Sequence, residues 1–90
     1  KELYCENNMI TNLDNLPQSL KELNCGHNNL IKLDKLPYNL EILYCCRNKI
    51  TKLNNLPYNL DKLYCNNNPL IYNFIPTLEN IKNYNANLKN

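Results

Sequence analysis

Leu3, Leu23, Leu43 and Leu63 stand twenty residues apart, and so do Cys5, Cys25, Cys45 and Cys65, and Asn8, Asn28, Asn48 and Asn68. Three independent columns with one period mean that the chain repeats a small unit, and such units stack side by side instead of wrapping round a single core. Further columns keep the spacing: Ile10, Leu30, Ile50, Leu70; Leu13, Leu33, Leu53; Leu16, Leu36, Leu56; Pro17, Pro37, Pro57; and Leu20, Leu40, Leu60. Usage agrees, since 21 of the 90 residues are Asn and 17 are Leu, while Gly occurs once and Trp and Val never. A compact chain of this length buries only about 60 to 65% of its unfolded surface, so a repeated rung is an economical solution.

Within a unit, Leu23 and Cys25 are two apart and point to one side of an extended segment, while Glu22, Asn24 and Gly26 point to the other. That is a strand with one buried face. The next strand follows twenty residues later in the same direction, which predicts a parallel sheet with neighbours about 4.8 Å apart. Pro37 fixes its own φ and pushes Leu36 toward an extended conformation, leaving no room for a helix in the return. The return limb, with Leu30, Leu33 and Leu36 inward, is expected to be extended or to hold one short 3₁₀ turn.

Read from Leu20, the unit is Leu20-x-x-Leu23-x-Cys25-x-x-Asn28-x-Leu30-x-x-Leu33-x-x-Leu36-Pro37. It resembles the leucine-rich repeat, L-x-x-L-x-L-x-x-N-x-L, with Cys in the third Leu place. The 20-residue length and the Leu-Pro tail are similar to the bacterial effector subclass, and the Asn, Lys and Tyr content to repeats encoded by giant viruses of amoebae. The resemblance covers at least residues 1–72. It implies an α/β-type solenoid with almost no helix: a right-handed coil, a parallel sheet on the concave face and an extended or 3₁₀ convex limb. It also implies a scaffold that binds a protein or peptide on that sheet. Nothing here resembles the ubiquitin-ligase segment that accompanies the effector repeats, so that activity is not implied.

The whole chain, 1–90, reads as one array of about four repeats. After residue 72 the register fails, because Pro76 follows Pro57 by 19 while Leu78 and Ile81 follow Leu60 and Leu63 by 18. From about residue 73 the expectation is a degenerate last repeat or a cap. Lys1 falls inside a unit, so the chain is expected to be a fragment of a longer protein, either monomeric or making end-to-end contacts through an uncapped first rung.

Ten basic and eight acidic residues give a net charge of +2, too balanced for a nucleic-acid or membrane binder. No run approaches the roughly 18 apolar residues of a spanning helix, and Lys1-Glu2-Leu3-Tyr4-Cys5 is not the start of a signal peptide.

The Asn column reads as buried side chains bonding turn backbone that cannot pair by itself. On that reading Asn48→Ala is more destabilising than a surface change such as Asn55→Ala. The Cys column reads as small buried hydrophobes. A straight row of rungs cannot converge four ligands on zinc, and parallel inward side chains suit a disulfide poorly. No cofactor or metal is expected. An all-thiol column fits a reducing compartment, so a cytoplasmic location is expected, that of a host cell included.

Function must come from columns that vary. Those facing outward are Glu2, Glu22, Ile42, Lys62; Tyr4, Asn24, Tyr44, Tyr64; Glu6, Gly26, Cys46, Asn66; and Asn7, His27, Arg47, Asn67. Exposed aromatics and Arg on a rigid surface are the usual components of a binding hot spot. The candidate partner-binding residues are therefore Tyr44, Tyr64, Arg47, Lys62, Glu22, His27 and Tyr4, and the expected partner is a protein or peptide. The bland alternative is that the tyrosines only pack across rungs. Two other functions remain: a structural spacer for flanking domains, or a thiol-dependent enzyme using Cys46 activated by His27 and Arg47. Against the enzyme, no phosphate loop, carboxylate pair or nucleotide fingerprint accompanies them. Tyr38 and Tyr58 lie on the return limb and read as covering.

Overall fold

A computed structural model of the chain describes residues 1–88. Four three-residue strands, β1 (Glu2–Tyr4), β2 (Glu22–Asn24), β3 (Ile42–Tyr44) and β4 (Lys62–Tyr64), precede one helix, α1 (Leu78–Leu88). The strands form a single parallel sheet in chain order, with Leu3 opposite Leu23, Leu23 opposite Leu43 and Leu43 opposite Leu63. Each rung is thus the previous one displaced by twenty residues, as a repeat fold requires. Pairing continues past the strands: the Cys25 N–H donates to Tyr44 O and the Cys45 N–H to Tyr64 O, both at 2.8 Å.

The inward columns make the core. Leu23, Cys25 and Leu30 of the second rung and Leu43, Cys45, Ile50 and Leu53 of the third are fully buried. In the first rung Leu3, Cys5, Ile10 and Leu13 are only half-buried, because rung neighbours cover them on one side alone. The return limb holds neither helix nor strand, takes a left-handed φ at Asn15 and Asn55, and closes in a turn, where the N–H of Leu20, Leu40 and Leu60 donates to the carbonyl of Pro17, Pro37 and Pro57 at 3.1–3.2 Å. Proline's fixed φ sets that corner at the same place in the first three rungs.

The Asn column holds rungs to each other as well as holding its own turn. Asn28 Nδ2 donates to the carbonyls of Cys25 and Gly26 in its own rung and of Cys5 in the rung before. Its Oδ1 accepts from the Asn8 and Ile10 N–H groups of that earlier rung, each at 3.1 Å. Asn48 and Asn68 repeat the arrangement.

From residue 73 on, no fifth strand forms among the described residues. Thr77 Oγ1 accepts the Asn80 N–H at 3.2 Å, a helix N-cap, and α1 runs across the fourth rung with Ile81 fully buried. Tyr72, Phe74 and Tyr84 pack as an aromatic cluster with centroids 4.9–5.6 Å apart. The end is tied by polar bonds: Lys82 Nζ donates to the carbonyls of Tyr58 and Leu60, Asn85 Nδ2 to Leu53 O, and the Leu53 N–H to the Tyr72 hydroxyl. The near-absence of helix expected from the repeat holds for the four rungs, and the 11-residue α1 is the departure from it. Among the described residues no helix is long and apolar enough to cross a membrane.

Candidate functional site

Alternation along each strand sends Leu23, Leu43 and Leu63 inward and sets their neighbours on the opposite face of the sheet. In register across that face lie Tyr4, Asn24, Tyr44 and Tyr64. Tyr44 and Tyr64 stack, with ring centroids 4.7 Å apart and planes 7° from parallel. Tyr44 is half-buried by the stack, whereas Tyr64 keeps 42% of its surface exposed. Stacking fixes both side chains, so the pair presents a rigid apolar plate with hydroxyl tips.

The acidic end of the face is bonded internally. The Tyr4 hydroxyl donates to Glu22 Oε2 at 2.8 Å, and this bond, with the nearby carboxylates of Glu2 and Glu22, raises the phenol from 10.0 to about 12. Glu22 is therefore engaged, while Lys62 is exposed on the last rung beside half-buried Ile42. Lys21 and Glu41 pair across rungs at 3.3 Å.

One column is left-handed in all four rungs. Asn7, His27, Arg47 and Asn67 all take left-handed conformations, with φ between 58° and 62°. These residues turn the chain out of the strand, and their N–H groups still reach across rungs: His27 to Cys46 O and Arg47 to Asn66 O, both at 2.9 Å. Asn tolerates this region and His is enriched in it, but Arg is an outlier. His27 and Arg47 are exposed on neighbouring rungs, and among the described residues neither side chain has a hydrogen-bonding or ion-pair partner. Lys49, two residues beyond Arg47, is exposed on the same turn and was not singled out from the sequence. The signal for it was available, since stretches 24–30, 44–50 and 64–70 contain His27, Arg47 and Lys49 but no Asp or Glu.

Two members of the expected outward set are less open than alternation suggested. Gly26 is buried, because its backbone lies against the next rung: a β-carbon there would stand 3.2 Å from Cys46 O. Its N–H is taken by Asn24 Oδ1 at 3.1 Å. Cys46 is half-buried, and among the described residues its sulfur makes no hydrogen bond, to His27 or to any other group. All five cysteines are free thiols. Burial pushes Cys25 from 9.0 up to about 12 and Cys45 well upward, so the inward column is held as neutral thiol. Among the described residues no three His, Cys, Asp or Glu side chains gather as metal ligands would.

A groove of about 760 Å³ lies between α1 and the return limb of the third rung, with Lys52, Tyr58, Lys82 and Leu88 in its wall. Comparison of the chain with known protein families, with curated proteins and with solved structures finds no match.

Proposed function

We propose that the chain is a leucine-rich-repeat array, coiled right-handed with the sheet on its concave side, and that it binds a protein or peptide there. The tyrosine pair carries this reading. The inward columns, the prolines and the Asn ladder are all used in building the coil, whereas Tyr44 and Tyr64 offer a preordered aromatic surface on a rigid sheet. Rigid aromatics lose little conformational entropy on binding, which is why they anchor interfaces. Arg47 and His27 follow the C-terminal ends of β3 and β2 as basic contacts, Lys62 opens β4 at the opposite edge of the plate, and Tyr4 with Glu22 forms a polar border on the first two rungs. The row of buried neutral thiols suits a reducing compartment, so we place the protein in the cytoplasm.

Random linear peptides displayed on phage and selected against the folded chain provide the test. Binders are expected to lose about thirtyfold or more in affinity when Tyr44→Ala and Tyr64→Ala are combined, the equivalent of one hot-spot residue. Equal affinity for the double variant, with its fold verified by circular dichroism, removes the tyrosines from the function. A selection that yields no binder at all favours a spacer role for the array.

A further inference from the structure

His27 and Arg47 interrupt a rule that the chain otherwise keeps. The left-handed position after each strand is best filled by Gly or Asn, and the first and fourth rungs use Asn7 and Asn67. The two middle rungs instead place a histidine and an arginine there, and Arg47 gains nothing from that backbone. Residues kept in unfavourable conformations against local preference mark functional positions more often than structural ones. Because φ is 58° at both, their Cα–Cβ bonds leave neighbouring rungs in parallel, on backbones about 4.8 Å apart. A carboxylate spans that distance and can bond both side chains at once.

The surroundings ask for an anion. Neither side chain has a partner among the described residues, Lys49 adds a third basic group on the same turn, and no acid occurs in the corresponding turn of the second, third or fourth rung. The Tyr44–Tyr64 plate spans the third and fourth rungs and shares the third with Arg47, three residues beyond Tyr44. We infer that the face takes an extended peptide whose acidic side chain is clamped between Arg47 and His27, with an apolar or aromatic neighbour of that acid lying on the tyrosine pair. The inference rests on the binding-face reading above and gives it a ligand class.

The test uses the same displayed peptides and two changes. Selection on the unaltered chain is expected to enrich Asp or Glu at one fixed spacing from an aromatic or large apolar residue. Arg47→Asn places the column's own preferred residue in the turn, so its melting temperature should not fall, yet affinity for those peptides should drop about tenfold. Replacing the peptide's acid by its amide should weaken binding to the unaltered chain at least as much, and should cost less on the variant than on the unaltered chain, since there only the His27 contact is left to lose. Binders without a fixed acid, or an Arg47→Asn chain that binds as well as before, overturn the clamp while leaving the tyrosine face standing. Binding that survives Tyr44→Ala with Tyr64→Ala but still responds to Arg47→Asn supports the clamp and overturns the tyrosine face, and a selection with no binders overturns both.

Discussion

A primary amide inside a protein must satisfy donors and acceptor together, and Asn48 does so across two rungs. Its Nδ2 donates to Cys25 O and Cys45 O at 3.1 Å and to Cys46 O at 3.3 Å, and its Oδ1 accepts from the Leu30 N–H at 3.0 Å. Removing the amide leaves these buried backbone groups without partners at about 1–3 kcal/mol each. Asn48→Ala is therefore expected to destabilise by about 2–4 kcal/mol in urea denaturation; a loss no greater than that of Asn54→Ala would contradict it. Asn54 is the proper reference, because it is exposed on ordinary backbone, whereas Asn55 has φ of 55° and suffers in its own right when changed to Ala. The column and its burial are legible in the sequence, because a polar residue repeated among apolar ones has few other uses. Its reach into the preceding rung is not, since that depends on how far one coil is offset from the next. The left-handed column was likewise invisible: Asn7 and Asn67 do not stand out among 21 asparagines, and neither His27 nor Arg47 announces a positive φ.

Strands of three residues could not stand alone, and each is held by the rungs next to it in the sheet. The last rung has no such neighbour on its outer side, and α1 takes that place with Ile81 against the core and a largely polar outer surface. Sequence spacing exposed the lost register but not the helix, because Leu78 and Ile81 were matched to the strand columns eighteen residues before them. Pro76-Thr77 followed by apolar or inward positions 78, 81, 82 and 85 is a helix start with a period of three to four, which the repeat alignment overrode. Thr77→Ala should destabilise the chain by about 1 kcal/mol and lower the helical signal in circular dichroism, and an unchanged spectrum and midpoint would show that the cap contributes nothing. At the site itself, period-two reasoning placed Tyr44 and Tyr64 side by side correctly. It failed for Gly26, where close approach of the Cys46 backbone overrides alternation.

Over the whole molecule a row of thiols runs through the core, and this makes stability depend on alkali in a defined direction. Cys25 is raised from 9.0 to about 12 by burial, so the folded chain holds its proton where the unfolded chain releases it. The stabilisation is complete below about pH 9 and is lost as pH rises through the folded value. At pH 10.5 Cys25 alone should cost about 2 kcal/mol relative to pH 7, with Cys45 acting in the same sense; urea midpoints that do not fall between these pH values would contradict the buried column. At the same scale, the interior and the return limb serve construction, and the sheet face with its tyrosine plate and basic turn is the surface we propose for a partner. Amide chemical shifts recorded while a selected peptide is titrated into the chain locate that partner most directly. Perturbations are expected at Tyr44, Tyr64, His27 and Arg47 on neighbouring rungs, and shifts confined to Tyr58, Lys82 and the α1 groove would contradict the account.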